Sequence, residues 1–273
     1  MLPNLTFWEL IMYKLTSIIF ASAFFAGCAT LPDNNKDLSL VTDCPVTYSN
    51  LSNTLSKSVF SKAGSSHGLA ASTNGGLDFD MWATVVTLDG RTCEVTKTGK
   101  KINDQWLGSR VISAQKANTA IDFSTSTFAL STANLYTVVQ PGASLYGLQH
   151  SNPVDTAAAY GGDSQLFGTD ADPMMGKRVG GVNVFGGGLP LYNKSGVLVG
   201  ALGVSGDTSC ADHNVAWRVR AALGLDHVPA GVNANKNDGI IYDPSSVFYH
   251  PSCLATEHNV AVVIGAGTPA PIK

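Results

Sequence analysis

Residues 185–212, FGGGLPLYNKSGVLVGALGVSGDTSCAD, set glycine turns around two short apolar runs, a pattern that constrains this part of the chain to an antiparallel hairpin. The spacing predicts strand 189–192 paired with strand 197–204 across Asn193-Lys194-Ser195-Gly196, where Gly196 supplies the positive φ of a tight turn. Ser205-Gly206-Asp207 closes the second strand. A helix carrying Trp217, Arg218 and Arg220 is expected over 211–223.

Upstream, residues 81–88 (MWATVVTL) read as a strand, Asp89-Gly90 as a turn and residues 91–98 as the antiparallel partner. Ser109 is the expected N-cap of a helix over 109–124. Its apolar positions Val111, Ala114, Ala117, Ala120 and Ile121 share one side, while Ile112, Lys116, Thr119 and Phe123 recur along a neighbouring stripe from which Lys116 and Thr119 project together. A second short helix is expected over 127–139, and residues 141–172 read as a long irregular region of the kind that is functional when ordered. Helical spacing of Leu51, Leu55 and Val59 predicts a helix within 44–62, followed by a Gly/Ser/Asn-rich loop over 63–76. In the tail, 239–242, 247–250 and 260–264 offer two or three extra strands. Antiparallel strands with helices segregated around them make the fold class α+β.

Four motifs occur in a telling order: Asp89-Gly90-Arg91, Lys116-Ala117-Asn118-Thr119-Ala120, Gly187-Gly188-Leu189-Pro190-Leu191, and the run 199–206, VGALGVSG, with an acidic residue soon after. Together with the 109–124 helix and the stretch 140–154, they resemble the GlcG/HbpS-like heme-binding family, sometimes labelled heme-degrading. The resemblance covers residues 82–225. It implies a profilin-like antiparallel sheet flanked by helices, a heme or similar flat tetrapyrrole as ligand, and a homo-oligomer.

The first residues carry a separate message. Met12-Tyr13-Lys14 gives a short basic start, and residues 15–26 are a hydrophobic run too short for a comfortable membrane span. Phe25-Ala26-Gly27-Cys28 resembles a bacterial lipobox, which implies cleavage before Cys28 and lipidation of its thiol; the alternative is an ordinary secretory signal cut near Ala29 or Thr30. Residues 1–11 fit neither version, so translation is expected to begin at Met12. The resulting organisation is a signal peptide (1–27), a tether (28–43), the GlcG/HbpS-like domain (44–225) and a C-terminal extension packed on it (226–273). The expected location is a bacterial membrane surface, facing the periplasm or the cell exterior, reached through the lipid anchor alone.

Export makes disulfides the natural use of cysteine. Cys44, Cys93, Cys210 and Cys253 lack the close pairs of a zinc site. Three connectivities are open. The preferred one, Cys44 with Cys93 and Cys210 with Cys253, ties a terminal extension to the core at each end. The roughly 245 residues after Cys28 suit one buried core. With 14 % charged residues and a net charge of −3, the chain presents no basic surface for nucleic acid.

Heme requires an apolar slot, groups for its propionates and often an axial His, Met, Tyr or Cys. His150, in the glycine-rich loop, and His213, after Asp212, are the candidate iron ligands, while His250 reads as structural and Met174-Met175 as packing or a weak ligand. On the resemblance, Lys116 and Thr119 face the ligand, with Lys116 placed to pair with a propionate or carboxylate. Gly187 and Gly188 permit close backbone approach. Gly203-Val204-Ser205-Gly206-Asp207 falls short of a nucleophile elbow because aspartate stands where the final glycine belongs, and no phosphate-binding glycine loop is present. Binding of heme is therefore expected rather than catalysis. Heme degradation or action on a small hydroxy-acid is the enzymatic alternative, and a protein-interaction module without heme is the third.

Overall fold

The computed structural model describes residues 43–59 and 74–268. The expected signal peptide, start site, lipidated Cys28, nearly all of the tether and most of the 63–76 loop lie outside the described residues. Four strands, β1 (Trp82–Val86), β2 (Thr92–Lys97), β3 (Gly188–Tyr192) and β4 (Leu198–Ser205), form one antiparallel sheet in the order β2-β1-β4-β3. The fold is α+β. The hairpin closes through Gly196 at φ +72°, and its register runs from Gly188 opposite Gly203 to Tyr192 opposite Leu198.

Alternation along the strands sorts two buried faces. Ala83, Val85, Leu189, Leu191, Leu202 and Val204 pack under helix α1 (Tyr48–Val59) and helix α5 (Ser209–Ala222), meeting Leu51, Leu55, Val215 and Val219. Helix α2 (Ser109–Asp122) covers the opposite face, where Val86 and Ala201 meet Ala117, Ala120 and Ile121. It lies close because its contact positions are small. A Cβ on Gly203 would stand 1.9 Å from the Ser113 carbonyl oxygen, and Ser113 Oγ bonds Thr84 Oγ1 at 2.7 Å. The expected N-cap shifts by one residue: Gly108 occupies it, and Ser109 opens the helix without capping it.

Residues 127–139 do not form the expected α-helix. They make two 3-10 turns, Thr132–Leu135 and Thr137–Val139, because Ser131 and Asn134 close a side-chain box that satisfies the backbone locally. The region read as irregular contains two short helices, α3 (Leu148–Ser151) and α4 (Thr156–Tyr160), and is held to α2 by a buried ion pair. Arg110 Nε donates to Asp172 at 2.9 Å, Asp172 also accepts from the Gly168 and Met174 amides, and the guanidinium lies 3.6 Å over the Phe167 ring. Met174 is packed in this core.

The tail differs most from expectation. Strand β5 (Ile240–Ile241) pairs in parallel with β6 (Gly267–Thr268), whereas 247–250 is not a strand and 260–264 falls largely within helix α6 (Ala255–Val263). Glu257, three residues after Leu254, returns its carboxylate to the Leu254 amide, and this start signal outweighs the β-branched composition. Cys210, Ile240, Tyr242, Ala261 and Ala266 form a shared core between α5 and the tail. Arg220 grips Asp238 through two hydrogen bonds of 2.6 and 2.8 Å. Both preferred disulfides are present, Cys44–Cys93 and Cys210–Cys253. The described helices include none long and apolar enough to cross a membrane.

Candidate functional site

Where the N-terminal half of α2 passes the β4–α5 junction, the packing leaves an open cleft of about 300 Å³. Its floor is an ion pair. Lys116, fully buried, donates from Nζ to Asp212 Oδ2 at 2.6 Å and to the Val204 carbonyl at 3.0 Å. The other oxygen of Asp212 accepts the Gly206 and Asp207 amides at 3.1 and 2.8 Å. Burial pushes both groups toward their neutral forms. The Lys116 amine is lowered, against the pull of Asp212, and the Asp212 carboxyl is raised to about 6, against the pull of Lys116 and the backbone amide of Asp207.

Gly187 makes room for this pair. It sits at φ +114°, and a Cβ there would stand 2.3 Å from the Val204 oxygen and 3.2 Å from Lys116 Nζ. Gly188 plays the same part for the helix, since its Cβ would meet the Lys116 carbonyl at 2.4 Å. Both glycines serve the seating of α2 and its lysine.

Above the floor, Ile112, Ser109, Ser205 and Ser209 line the walls, and Trp106 and Phe185 form the rim. Trp106 is 52 % exposed and Phe185 45 %. The rim is ordered from beneath. Trp82 Nε1 donates to the Trp106 carbonyl at 3.1 Å, and Phe79 meets the Trp106 ring edge-on at 5.1 Å between centroids. Asp207 fixes the segment carrying Phe79 by accepting the Leu77 and Phe79 amides. Large aromatic faces held open to solvent above a buried ion pair offer stacking area to a flat apolar ligand.

The sequence-derived site residues disperse over several surroundings. Lys116 lies in the cleft, paired with the carboxylate of Asp212 instead of standing free. Thr119 turns elsewhere: its hydroxyl donates to the Gln115 carbonyl and accepts the Asn183 amide, so it no longer projects with Lys116. His150 is exposed on α3. His213 is buried beneath the tail, donating from Nε2 to the Ala266 carbonyl at 3.1 Å, and burial pushes its imidazole down to about 4. Neither histidine lines the cleft. Sequence reading missed Asp212 as the partner of Lys116, along with Trp106 and Phe185, whereas Ile112 lines the cleft from the Lys116 stripe on which the spacing placed it. The acidic residue after the VGALGVSG run was the available signal for the first, and nothing in the pattern marked the aromatics as exposed.

Trp106, Phe185 and Ile112 are the apolar faces that a heme macrocycle would need. Among the described residues, the one cation lining the cleft, Lys116, is already paired with Asp212 and so is not free to receive a propionate, and no His, Met, Tyr or Cys lines this cleft as an axial ligand.

Residues 81–221 match the family described as "Haem degrading protein HbpS-like". The corrinoid adenosyltransferases PduO of Salmonella typhimurium and Citrobacter freundii are each 32 % identical over 125 residues, 46 % of this chain and 28 % of theirs. The chain thus spans little more than a quarter of the length of these curated relatives. Among solved structures, the Klebsiella pneumoniae protein ORFY aligns at 23 % identity and TM-score 0.41, covering 65 % of this chain and 90 % of that one. A PduOC:heme complex aligns at 24 % and 0.42, covering 67 % and 98 %. With the family match taking in just over half of its residues, the chain belongs to the HbpS-like family.

Proposed function

We propose that this protein binds heme or a closely similar flat tetrapyrrole in the cleft between α2 and the β4–α5 junction, as an exported, lipid-anchored and self-associating binding protein. The observation that carries the ligand assignment is the exposed aromatic rim of Trp106 and Phe185, with Trp106 held from beneath by Trp82, in a member of this family. Trp106, Phe185 and Ile112 hold the macrocycle. Lys116, committed to Asp212, would leave the propionates to solvent. Heme would supply the iron chemistry; the protein would supply apolar faces, shape and the buried Lys116–Asp212 pair. Export and lipidation rest on the residue pattern at 12–28.

The test is a visible-absorption titration of hemin into the detergent-solubilised chain and its variants. A saturable, shifted Soret band is expected, with Trp106→Ala/Phe185→Ala weakening it at least about tenfold, in line with the loss of two stacking faces. His150→Ala and His213→Ala report any axial ligation through the band position. Absence of a shift beyond that of a control protein overturns the reading. Degradation of the bound heme is a second reading, favoured by the place of Asp212 in the cleft lining, where burial raises its carboxyl to about 6 and so toward the range of a proton donor. Bleaching of the Soret band under a reductant and oxygen, abolished in Asp212→Asn, separates it from simple binding.

A further inference from the structure

The first turn of α5 and the tail bring together three side chains that the cleft does not use. Cys210 Sγ, Cys253 Sγ and a ring nitrogen of His250 all lie within 4.8 Å of one another, with His250 Nδ1 3.9 Å from Cys210 Sγ. We propose that reduction of the Cys210–Cys253 disulfide converts this cluster into a three-ligand site for a thiophilic divalent cation of the zinc class.

Two thiolates and an imidazole are a characteristic zinc donor set, and tetrahedral geometry with Zn–S near 2.3 Å and Zn–N near 2.0 Å places ligand atoms roughly 3.5–3.8 Å apart. The imidazole already stands near this distance from Cys210, the farthest ligand pair has to close by about 1 Å, and the two sulfurs, about 2 Å apart while bonded, have to separate by roughly 1.7 Å once the disulfide is cleaved. The surroundings suit both states. Cys253 Sγ accepts the Cys210 amide at 3.2 Å, inside the first turn of α5, a setting that stabilises a thiolate. His250 now donates from Nδ1 to the Pro251 carbonyl at 2.7 Å, so its Nε2 accepts from the Ser209 hydroxyl at 2.8 Å. Binding a cation at Nδ1 moves the ring proton to Nε2, and Ser209 Oγ, which already accepts the Gly186 amide, has a second lone pair to receive it. The hydroxyl thus orients the imidazole in either tautomer.

The redox step balances with a dithiol as reductant. One thiolate of the dithiol attacks Cys253 sulfur, which keeps contact with solvent, and the electron pair of the S–S bond leaves on Cys210 sulfur. The second thiol then resolves the mixed disulfide and leaves as the oxidised cyclic disulfide. Two electrons pass to the protein, and the two thiol protons go to water as the cation binds.

The experiment uses the full native chain, reduced with a dithiol that is then removed anaerobically. Alkylation rates of each cysteine are read by peptide mass spectrometry with and without equimolar zinc. Zinc is expected to slow alkylation of Cys210 and Cys253 at least tenfold while leaving Cys44 and Cys93 unchanged. His250→Ala is expected to remove that protection and still re-form the Cys210–Cys253 disulfide in air. Equal protection of all four cysteines, protection that survives His250→Ala, or no protection at all overturns the proposal; a reduced chain that unfolds falls in the last class.

Discussion

At the level of single residues, the Lys116–Asp212 pair decides how α2 meets α5. Neither charge reaches water, so each is tolerable only because of the other. Lys116→Met is expected to cost about 3–5 kcal/mol at pH 8, because it leaves a buried carboxylate uncompensated. The pH dependence has a definite sign. The folded pKa of Asp212, about 6, lies above its ordinary 3.8, so its contribution to stability is full below 3.8 and is lost as pH rises through the folded value. Removing the amine moves that value further up. Urea midpoints of Lys116→Met and the unaltered protein should therefore converge on going from about pH 8 to about pH 5, and an equal gap at both would refute the pair as the cause. Gly187→Ala tests the same contact from the backbone side. With φ at +114° and a Val204 oxygen 2.3 Å from the new methyl, the substitution should cost at least about 2 kcal/mol at unchanged m-value.

At the level of elements, the hairpin, β1, β2, α1, α2 and α5 were legible because each carries a local period or turn residue that its packing then uses. Gly196 takes the positive φ its turn required, and Leu51, Leu55 and Val59 bury as one stripe. The 260–264 segment was not legible as helix, since Val260, Val262 and Val263 favour a strand until the Leu254–Glu257 start box is considered. The candidate site was less legible than the fold. Lys116 and Asp212 stand 96 residues apart, so their pairing exists only after the sheet has assembled, and an aromatic at 106 or 185 gives no local sign that it will stay exposed. His213 illustrates the same point on α5, where its position beside Asp212 suggested a ligand and its surroundings make it part of the tail interface. Its folded pKa, about 4, lies below the ordinary 6.5, so the stability it contributes is present above 6.5 and lost as pH falls through 4. The stability difference between the protein and His213→Gln should shrink by about 3 kcal/mol across that interval. Parallel thermal profiles of the two proteins would remove His213 as an acid-sensitive group.

At the level of the whole molecule, two disulfides clamp opposite ends of the described chain, one onto the sheet at β2 and the other onto helix α5. Their loops are nearly equal, 49 residues for Cys44–Cys93 and 43 for Cys210–Cys253, so the chain-entropy contribution of each is about 4 kcal/mol. Their structural consequences differ. Cys44–Cys93 joins the segment before α1 to the edge strand β2, whose side chains already belong to the main cores. Cys210–Cys253 joins α5 to a tail whose own pairing is two residues long in each strand, and which is otherwise held by Arg220–Asp238, a small apolar cluster and separate side-chain hydrogen bonds such as His213–Ala266 and Asn214–Glu257. Cys210→Ser/Cys253→Ser should therefore release the tail before the sheet. Native-state hydrogen exchange is expected to show amides 240, 266 and 250 losing protection well beyond the global decrease, while those of β1 and β4 follow the global decrease alone. If the tail and sheet lose protection together, the tail is part of the cooperative core, and the disulfide contributes only through the entropy of the unfolded chain.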